Sequence, residues 1–144
     1  MVTRRQDSGF TLIELMVALA LVGLFLALAL PNFPVLTNGA QLGASSRELT
    51  AALREARSQA IRENREIRIA IAADGASYAV DGVARPFRAA AIDRLAFDAA
   101  KRGSAALSFF ADGASSGGRF ALARGGLSRE VVVDPVTGRV TASE

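Results

Sequence analysis

The sequence contains no cysteine and no histidine, and Lys101 is its single lysine. Without cysteine, a disulfide framework and thiol chemistry are excluded. Without histidine, the chain lacks the commonest general base, the commonest metal ligand and every Ser-His arrangement. Carboxylates, serines and one lysine leave catalysis chemically possible but poorly supported. The composition therefore favours a protein that is not an enzyme and that has no cofactor and no metal site.

The excess of positive over negative charge is also small. The formal net charge is +3 at pH 7, and Arg4, Arg5 and Asp7 supply +1 of it. The other arginines are scattered among acids and form no block, which is typical of a solvated surface and does not indicate nucleic-acid binding. The 144 residues suffice for one soluble domain with a modest core, preceded by a distinct N-terminal segment.

That N-terminal segment is one apolar run, residues 10–30, which reads FTLIELMVALALVGLFLALAL and carries Glu14 as its single charge. As a helix, 21 residues extend about 31 Å, which matches a hydrocarbon core of about 30 Å. We therefore predict a transmembrane helix over residues 10–30. Arg4 and Arg5 precede it, so the positive-inside rule places the N-terminus in the cytoplasm and the remaining chain outside.

Three interpretations of this segment compete. A secretory signal peptide would have a shorter apolar run and a small-residue cleavage site after it. A plain single-pass anchor leaves Glu14 unexplained, because a carboxylate in lipid is costly. The third interpretation is a short leader that a peptidase removes in front of a helix that the mature protein keeps.

The third interpretation is supported by a resemblance. Residues 4–31, RRQDSGFTLIELMVALALVGLFLALALP, resemble the class III leader of type IV pilins and type II secretion pseudopilins. The resemblance implies a leader peptide over residues 1–9, cleavage between Gly9 and Phe10, and N-methylation of Phe10. It also implies that Glu14 pairs with the new ammonium of a neighbouring subunit during assembly. Gly9 suits the cleavage site because it has no Cβ to obstruct an extended backbone.

The helix is expected to continue after a kink. Pro31 lacks an N–H, so we predict a kink there and a soluble continuation of the helix over residues 31–64. Apolar residues recur on one face at steps of 7, 4, 3 and 4, which is typical of an amphipathic helix. They are Leu42, Leu49, Leu53, Ala56 and Ala60. Asn64 is the predicted end of this helix.

Residues 65–144 are expected to form a periplasmic β-rich domain. From Arg65 the apolar residues alternate, and glycine-containing turns follow. The predicted turns include Asp74-Gly75, Asp81-Gly82, Gly125-Gly126 and Pro135–Gly138, and predicted strands include residues 107–110, 120–122 and 130–134. The fold class is therefore α+β and pilin-like: a long N-terminal helix, with a membrane-spanning first half, packed on antiparallel sheets.

A second resemblance concerns function. Residues 53–67, LREARSQAIRENREI, and residues 109–140, FFADGASSGGRF…VVVDPVTGRV, resemble the H-type minor pseudopilins. This implies a subunit in or near the tip of a periplasmic pseudopilus that drives export of folded proteins. The implied partners are other pseudopilins, the prepilin peptidase, the inner-membrane assembly platform and inner-membrane lipid.

Two alternatives stay open. One is a minor type IV pilin for pilus priming, adhesion or DNA uptake, for which C-terminal arginines could hold phosphates. Those arginines are Arg119, Arg124, Arg129 and Arg139. The other alternative is a single-pass envelope protein unrelated to filaments.

Overall fold

The computed structural model describes residues 10–29, 33–89, 92–100 and 104–143. Gly9 and Pro31 lie outside these ranges, as does residue 30, the last of the predicted membrane helix. The cleavage site and the kink therefore stay predictions. The chain divides into two compact units, Met1–Pro34 and Val35–Glu144.

The first unit contains helix α1, Leu12–Ala29. Leucine and alanine dominate its sequence, and both are strong helix formers; Gly23 is its only poor helix former. In the part of the chain that the structure describes, no helix combines the length and the apolar character required to cross a membrane.

Helix α2, Phe33–Glu63, provides one side of the core of the second unit. The predicted apolar face is confirmed, because Leu42, Leu49, Leu53, Ala56 and Ala60 are all buried. The last helical residue is Glu63, and Asn64, the predicted end of the helix, follows it with a left-handed backbone at φ 51°. The Arg65 N–H then bonds the Ala60 carbonyl at 3.2 Å, the capping bond of a Schellman motif.

Two four-stranded antiparallel sheets complete the second unit. The first has the order β3-β2-β1-β5 and the second the order β4-β6-β7-β8. The strands are β1 Ile67–Ile71, β2 Tyr78–Val80, β3 Val83–Arg85, β4 Arg94–Ala99, β5 Ala106–Phe109, β6 Gly118–Arg124, β7 Leu127–Val133 and β8 Val140–Ala142. The α+β, helix-on-antiparallel-sheet prediction is confirmed.

Side chains from α2 and from both sheets share one hydrophobic core. On β1, Ile67 and Ile69 are buried whereas Arg68 is exposed, which is the alternation expected of a strand with one face on the core. Phe120 on β6 is fully buried and pairs with Phe97 on β4, with ring centroids 4.7 Å apart. Full burial of an aromatic ring contributes about 1.5–3 kcal/mol to folding.

Several strand boundaries differ from the sequence-based expectation, and two of them have a clear cause. Strand β7 begins at Leu127, before the predicted residue 130, because Gly125 and Gly126 both have positive φ and form a two-residue hairpin turn. Pairing therefore resumes immediately, with Arg124 opposite Leu127. Strand β5 ends at Phe109, and Phe110 instead starts a turn in which its carbonyl accepts the Gly113 N–H at 2.9 Å.

Candidate assembly and processing site

Phe10, the residue predicted to become the mature N-terminus, directly precedes the cap of α1 and is 80% exposed. Thr11 is the N-cap: its hydroxyl accepts the Glu14 N–H at 3.3 Å, and its carbonyl accepts the Leu15 N–H at 3.2 Å. Thr11 and Glu14 thus have the spacing of a capping box. This arrangement fixes where the helix starts and places Glu14 in its first turn.

Glu14 is the single acid in that first turn, where the positive end of the helix dipole favours a carboxylate. Its side chain is exposed, and within the described residues it has no ion-pair partner. The Glu14 carboxylate near the start of α1 is therefore able to form an ion pair or to accept hydrogen bonds from another molecule.

The remainder of α1 is apolar on every face. Its large side chains are between half and four-fifths exposed, for example Leu21 at 50% and Leu12 at 79%. A helix that is hydrophobic all round is stable only when lipid or other protein covers it. In a single chain, the apolar surface of α1 therefore lacks the apolar contacts that it requires.

In the second unit, the polar loops that could have formed a ligand site are turns. Asp112 accepts the Ala114 N–H at 2.9 Å, and Gly113 and Gly117 have positive φ. Asp134 accepts the N–H and the hydroxyl of Thr137, and these bonds lower the pKa of that carboxyl group. Over the described residues, no three His, Cys, Asp or Glu side chains are grouped so that they could hold a metal ion.

Charged side chains cluster where α2 passes into β1. Arg65 bonds both Glu63 and Asp81 at 2.6 Å, and the Arg68 N–H donates to Asp81 at 3.0 Å. The Arg68 amide, followed by the Arg65 guanidinium, lowers the pKa of Asp81. These groups are largely exposed, so each pair contributes little stability.

The four C-terminal arginines do not all lie at one site. Arg119 pairs with Glu130 at 3.5 Å, and Arg124 donates to the Asn38 side chain at 3.3 Å. Arg139 lines a recess beside α2 and also a second recess, which it shares with Arg119 and with the acids Asp98 and Asp134. The two acids in the shared recess and the pairing of Arg119 with Glu130 disfavour a phosphate site there.

Sequence reasoning missed the position of Arg57 on α2. Its Nε donates to the Gly113 carbonyl at 2.9 Å, and it lies against Gly138, where an added Cβ would come within 2.8 Å of Nε. From the sequence, Gly113 and Gly138 were interpreted only as turn residues. Their packing against an arginine from a helix depends on tertiary structure.

An apolar helix with an acid in its first turn, and a helix packed on antiparallel sheets, together define the pilin-like class. Comparison with family models gives two matches: the prokaryotic N-terminal methylation motif over residues 4–30, and type II transport protein GspH over residues 45–138. The second match covers about two thirds of the chain, and the chain belongs to this GspH family.

Solved structures share the fold. The type IV minor pilin FimU of Pseudomonas aeruginosa is 26% identical, with a TM-score of 0.55, over 76% of this chain and 92% of that one. The minor pseudopilin EpsH from the type 2 secretion system of Vibrio cholerae is 12% identical, with a TM-score of 0.53, over 72% of this chain and 96% of that one. No curated protein matches the chain.

Proposed function

We propose that this chain is a minor pseudopilin of a type II protein secretion system. The observation that carries the proposal is the GspH match over residues 45–138. The subunit would be incorporated into or near the tip of a periplasmic pseudopilus, together with other major and minor pseudopilins. Its role would be structural, and it would be a substrate of the prepilin peptidase and no enzyme itself.

The proposed pathway begins in the inner membrane. Residues 10–30 anchor the precursor there, with residues 1–9 in the cytoplasm and the domain after residue 31 in the periplasm. Support comes from the 21-residue run with one charge and from the methylation-motif match over residues 4–30. The peptidase then cleaves between Gly9 and Phe10, and the new amine of Phe10 is methylated.

Assembly would follow from the chemistry of the new terminus. Cleavage leaves an ammonium on Phe10, and a single helical turn separates it from Glu14. In lipid, an unpaired carboxylate costs about 2.5–3.5 kcal/mol at the centre of a span and less near its end. A neighbouring subunit's ammonium would remove this cost only when the two helices are correctly staggered, so Glu14 acts as a register device more than as a source of stability.

The apolar surface of α1 supports the same proposal. Lipid covers it before assembly, and helices of neighbouring subunits would cover it in the filament. The inner-membrane assembly platform would mediate that transfer. The kink proposed at Pro31 would separate the membrane helix from the periplasmic part of the chain.

One observation favours a second candidate, a minor type IV pilin. Identity to the minor pilin FimU is 26%, against 12% to the minor pseudopilin EpsH. Both candidates use the same processing and the same assembly chemistry, and they differ in the machine that the filament serves.

An in-frame deletion of the gene separates the two candidates. A pseudopilin mutant accumulates folded exoproteins in the periplasm while twitching motility and transformation stay normal. A minor-pilin mutant secretes normally and loses surface pili, twitching or DNA uptake. Complementation with the intact gene is the control, and normal secretion by the deletion strain would refute the pseudopilin proposal.

A further inference from the structure

One face of α2 and the turn between β7 and β8 enclose a recess of about 580 Å³. We call it the basic recess, because three of its lining side chains are arginines and none is acidic. It is lined by Arg54, Arg57, Ser58, Thr137, Gly138, Arg139 and Val140. On α2 the residues at positions 54, 57, 58 and 61 follow the spacing of a single helix face.

Two of these arginines are held by neutral groups. Arg57 Nε donates to the Gly113 carbonyl at 2.9 Å, and an Nη atom of Arg54 donates to the Val140 carbonyl at 3.2 Å. The ion pairs that the described residues form involve other arginines and do not include Arg54, Arg57 or Arg139. Within the described residues, none of the three arginines of the recess forms an ion pair, and Asp134 of the same turn accepts hydrogen bonds from Thr137.

The recess has a fixed shape. Gly113 and Gly138 both have positive φ, at 84° and 63°. Gly138 has no room for a side chain, since an added Cβ would lie 2.8 Å from Arg57 Nε and would collide with the Gly113 carbonyl, and at Gly113 an added Cβ would be in tight contact with Arg57 Nη2 at 3.2 Å. The two turns therefore form a seat that orients the Arg57 guanidinium, which lowers the entropic cost of binding an anion there.

Apolar side chains border the same position. An added Cβ on Gly113 would also lie 3.1 Å from Ile61 Cδ1, so the aliphatic chain of Ile61 and the charge of Arg57 meet at this glycine. Ile61 is 47% exposed, and Phe110, in the same turn as Gly113, is 40% exposed. Arginine and aromatic residues are enriched at protein–protein hot spots.

We propose that the basic recess is a docking site for an acidic segment of a partner protein. Carboxylates of the partner bind Arg57 and Arg139, and an apolar side chain beside them covers Ile61 and Phe110. The planar guanidinium groups match carboxylates in geometry and charge. The proposal concerns the Val35–Glu144 unit alone and holds for either filament system.

A protein fits these observations better than a nucleic acid. The recess is compact, whereas a nucleic-acid surface needs a basic stripe along the phosphate backbone.

The test uses the full chain in neutral detergent and a fluorescently labelled peptide that alternates glutamate with leucine, followed by anisotropy. Arg139→Gln is the informative variant, because the side chain of Arg139 is exposed and its hydrogen bonds are made by its backbone: the N–H donates to the Thr137 hydroxyl and the carbonyl accepts the Asp134 N–H. Arg94→Gln is the matched control, since Arg94 is an exposed arginine on β4 away from the recess. Circular dichroism verifies that both variants are folded.

We expect Arg139→Gln to weaken peptide binding about fivefold to tenfold, and Arg94→Gln to leave it unchanged. A peptide with glutamine in place of glutamate should not bind. Equal effects of the two substitutions would overturn the proposal. So would tighter binding of labelled single-stranded DNA than of the peptide, if that binding were lost in Arg139→Gln.

Discussion

Replacing Gly138 with alanine tests the seat of Arg57 directly. The backbone of Gly138 has φ 63°, and an added Cβ would lie 2.8 Å from Arg57 Nε and 3.1 Å from its Cδ, and would also collide with the Gly113 carbonyl. Because that carbonyl belongs to the backbone, it cannot rotate away as the end of a flexible side chain can. The turn, the arginine or both must shift.

Gly75→Ala is the matched control. Gly75 has nearly the same conformation, with φ 66°, and nothing lies within 4 Å of its added Cβ. It therefore carries only the left-handed backbone cost, about 1 kcal/mol. Gly138→Ala carries that cost and an overpacking cost of about 1–3 kcal/mol. We expect losses in the free energy of unfolding of about 1 kcal/mol for Gly75→Ala and about 2–4 kcal/mol for Gly138→Ala.

The assay is urea unfolding of the full chain in mild detergent, followed by circular dichroism and by the fluorescence of Tyr78, the single tyrosine. Tyr78 is buried in the core and packs edge-on against Phe87 with ring centroids 5.3 Å apart, so its signal reports the second unit. Equal destabilisation by the two substitutions would refute the argument, because it would show that Arg57 and the Gly113 carbonyl do not confine Gly138.

Three further predictions concern the hydrophobic core, the stability at low pH and the assembly of the filament. Phe109→Ala should cost about 3–5 kcal/mol in urea unfolding, and Phe110→Ala less than about 1 kcal/mol, since the first ring is fully buried and the second is 40% exposed. Below about pH 4 the stability should fall, because the pKa of Asp81 is lowered in the folded state: its contribution is present above the unfolded pKa and is lost as pH falls through the folded one. Asp81→Asn should flatten this dependence, and an unchanged pH profile would contradict it. Glu14→Leu should leave cleavage and membrane insertion intact and abolish assembly, measured by immunoblot of membrane and sheared-filament fractions; normal assembly would refute the pairing role.

Local periodicity predicted much of this fold. The spacing from Leu42 to Ala60 identified the buried face of α2 because one face of a helix repeats about every 3.6 residues. The alternation at Ile67 and Ile69 identified β1 because strand side chains point alternately to opposite sides. Asn64 was recognisable as the helix end because asparagine tolerates the left-handed conformation that its φ of 51° requires.

Contacts between residues far apart in the chain could not be predicted from the sequence. Strand β5 pairs with β1 although β2, β3 and β4 lie between them in the chain, and β4 belongs to the other sheet. No local pattern in residues 84–104 indicates this split. Arg57 likewise bonds a carbonyl that is 56 residues away in the chain, at Gly113. The sequence around Gly113 and Gly138 predicted turns, but it could not predict that an arginine of α2 packs against them.

At the candidate assembly site, the sequence supplied residue types and spacing, and the structure supplied geometry for part of it. Thr11 caps α1 and fixes Glu14 in the first turn, a detail that the Thr-x-x-Glu spacing contained but that the resemblance to prepilin leaders left unused. Gly9 and Pro31 lie outside the described residues, so their roles in cleavage and in a kink stay predictions.

Intact-mass measurement of the protein recovered from membranes of cells with an active prepilin peptidase addresses the central claim most directly. The account predicts one species whose mass equals the chain from Phe10 onward plus one methyl group, and a precursor with residues 1–9 retained in cells that lack the peptidase. An unmethylated chain that retains residues 1–9 in the peptidase-competent cells would contradict it.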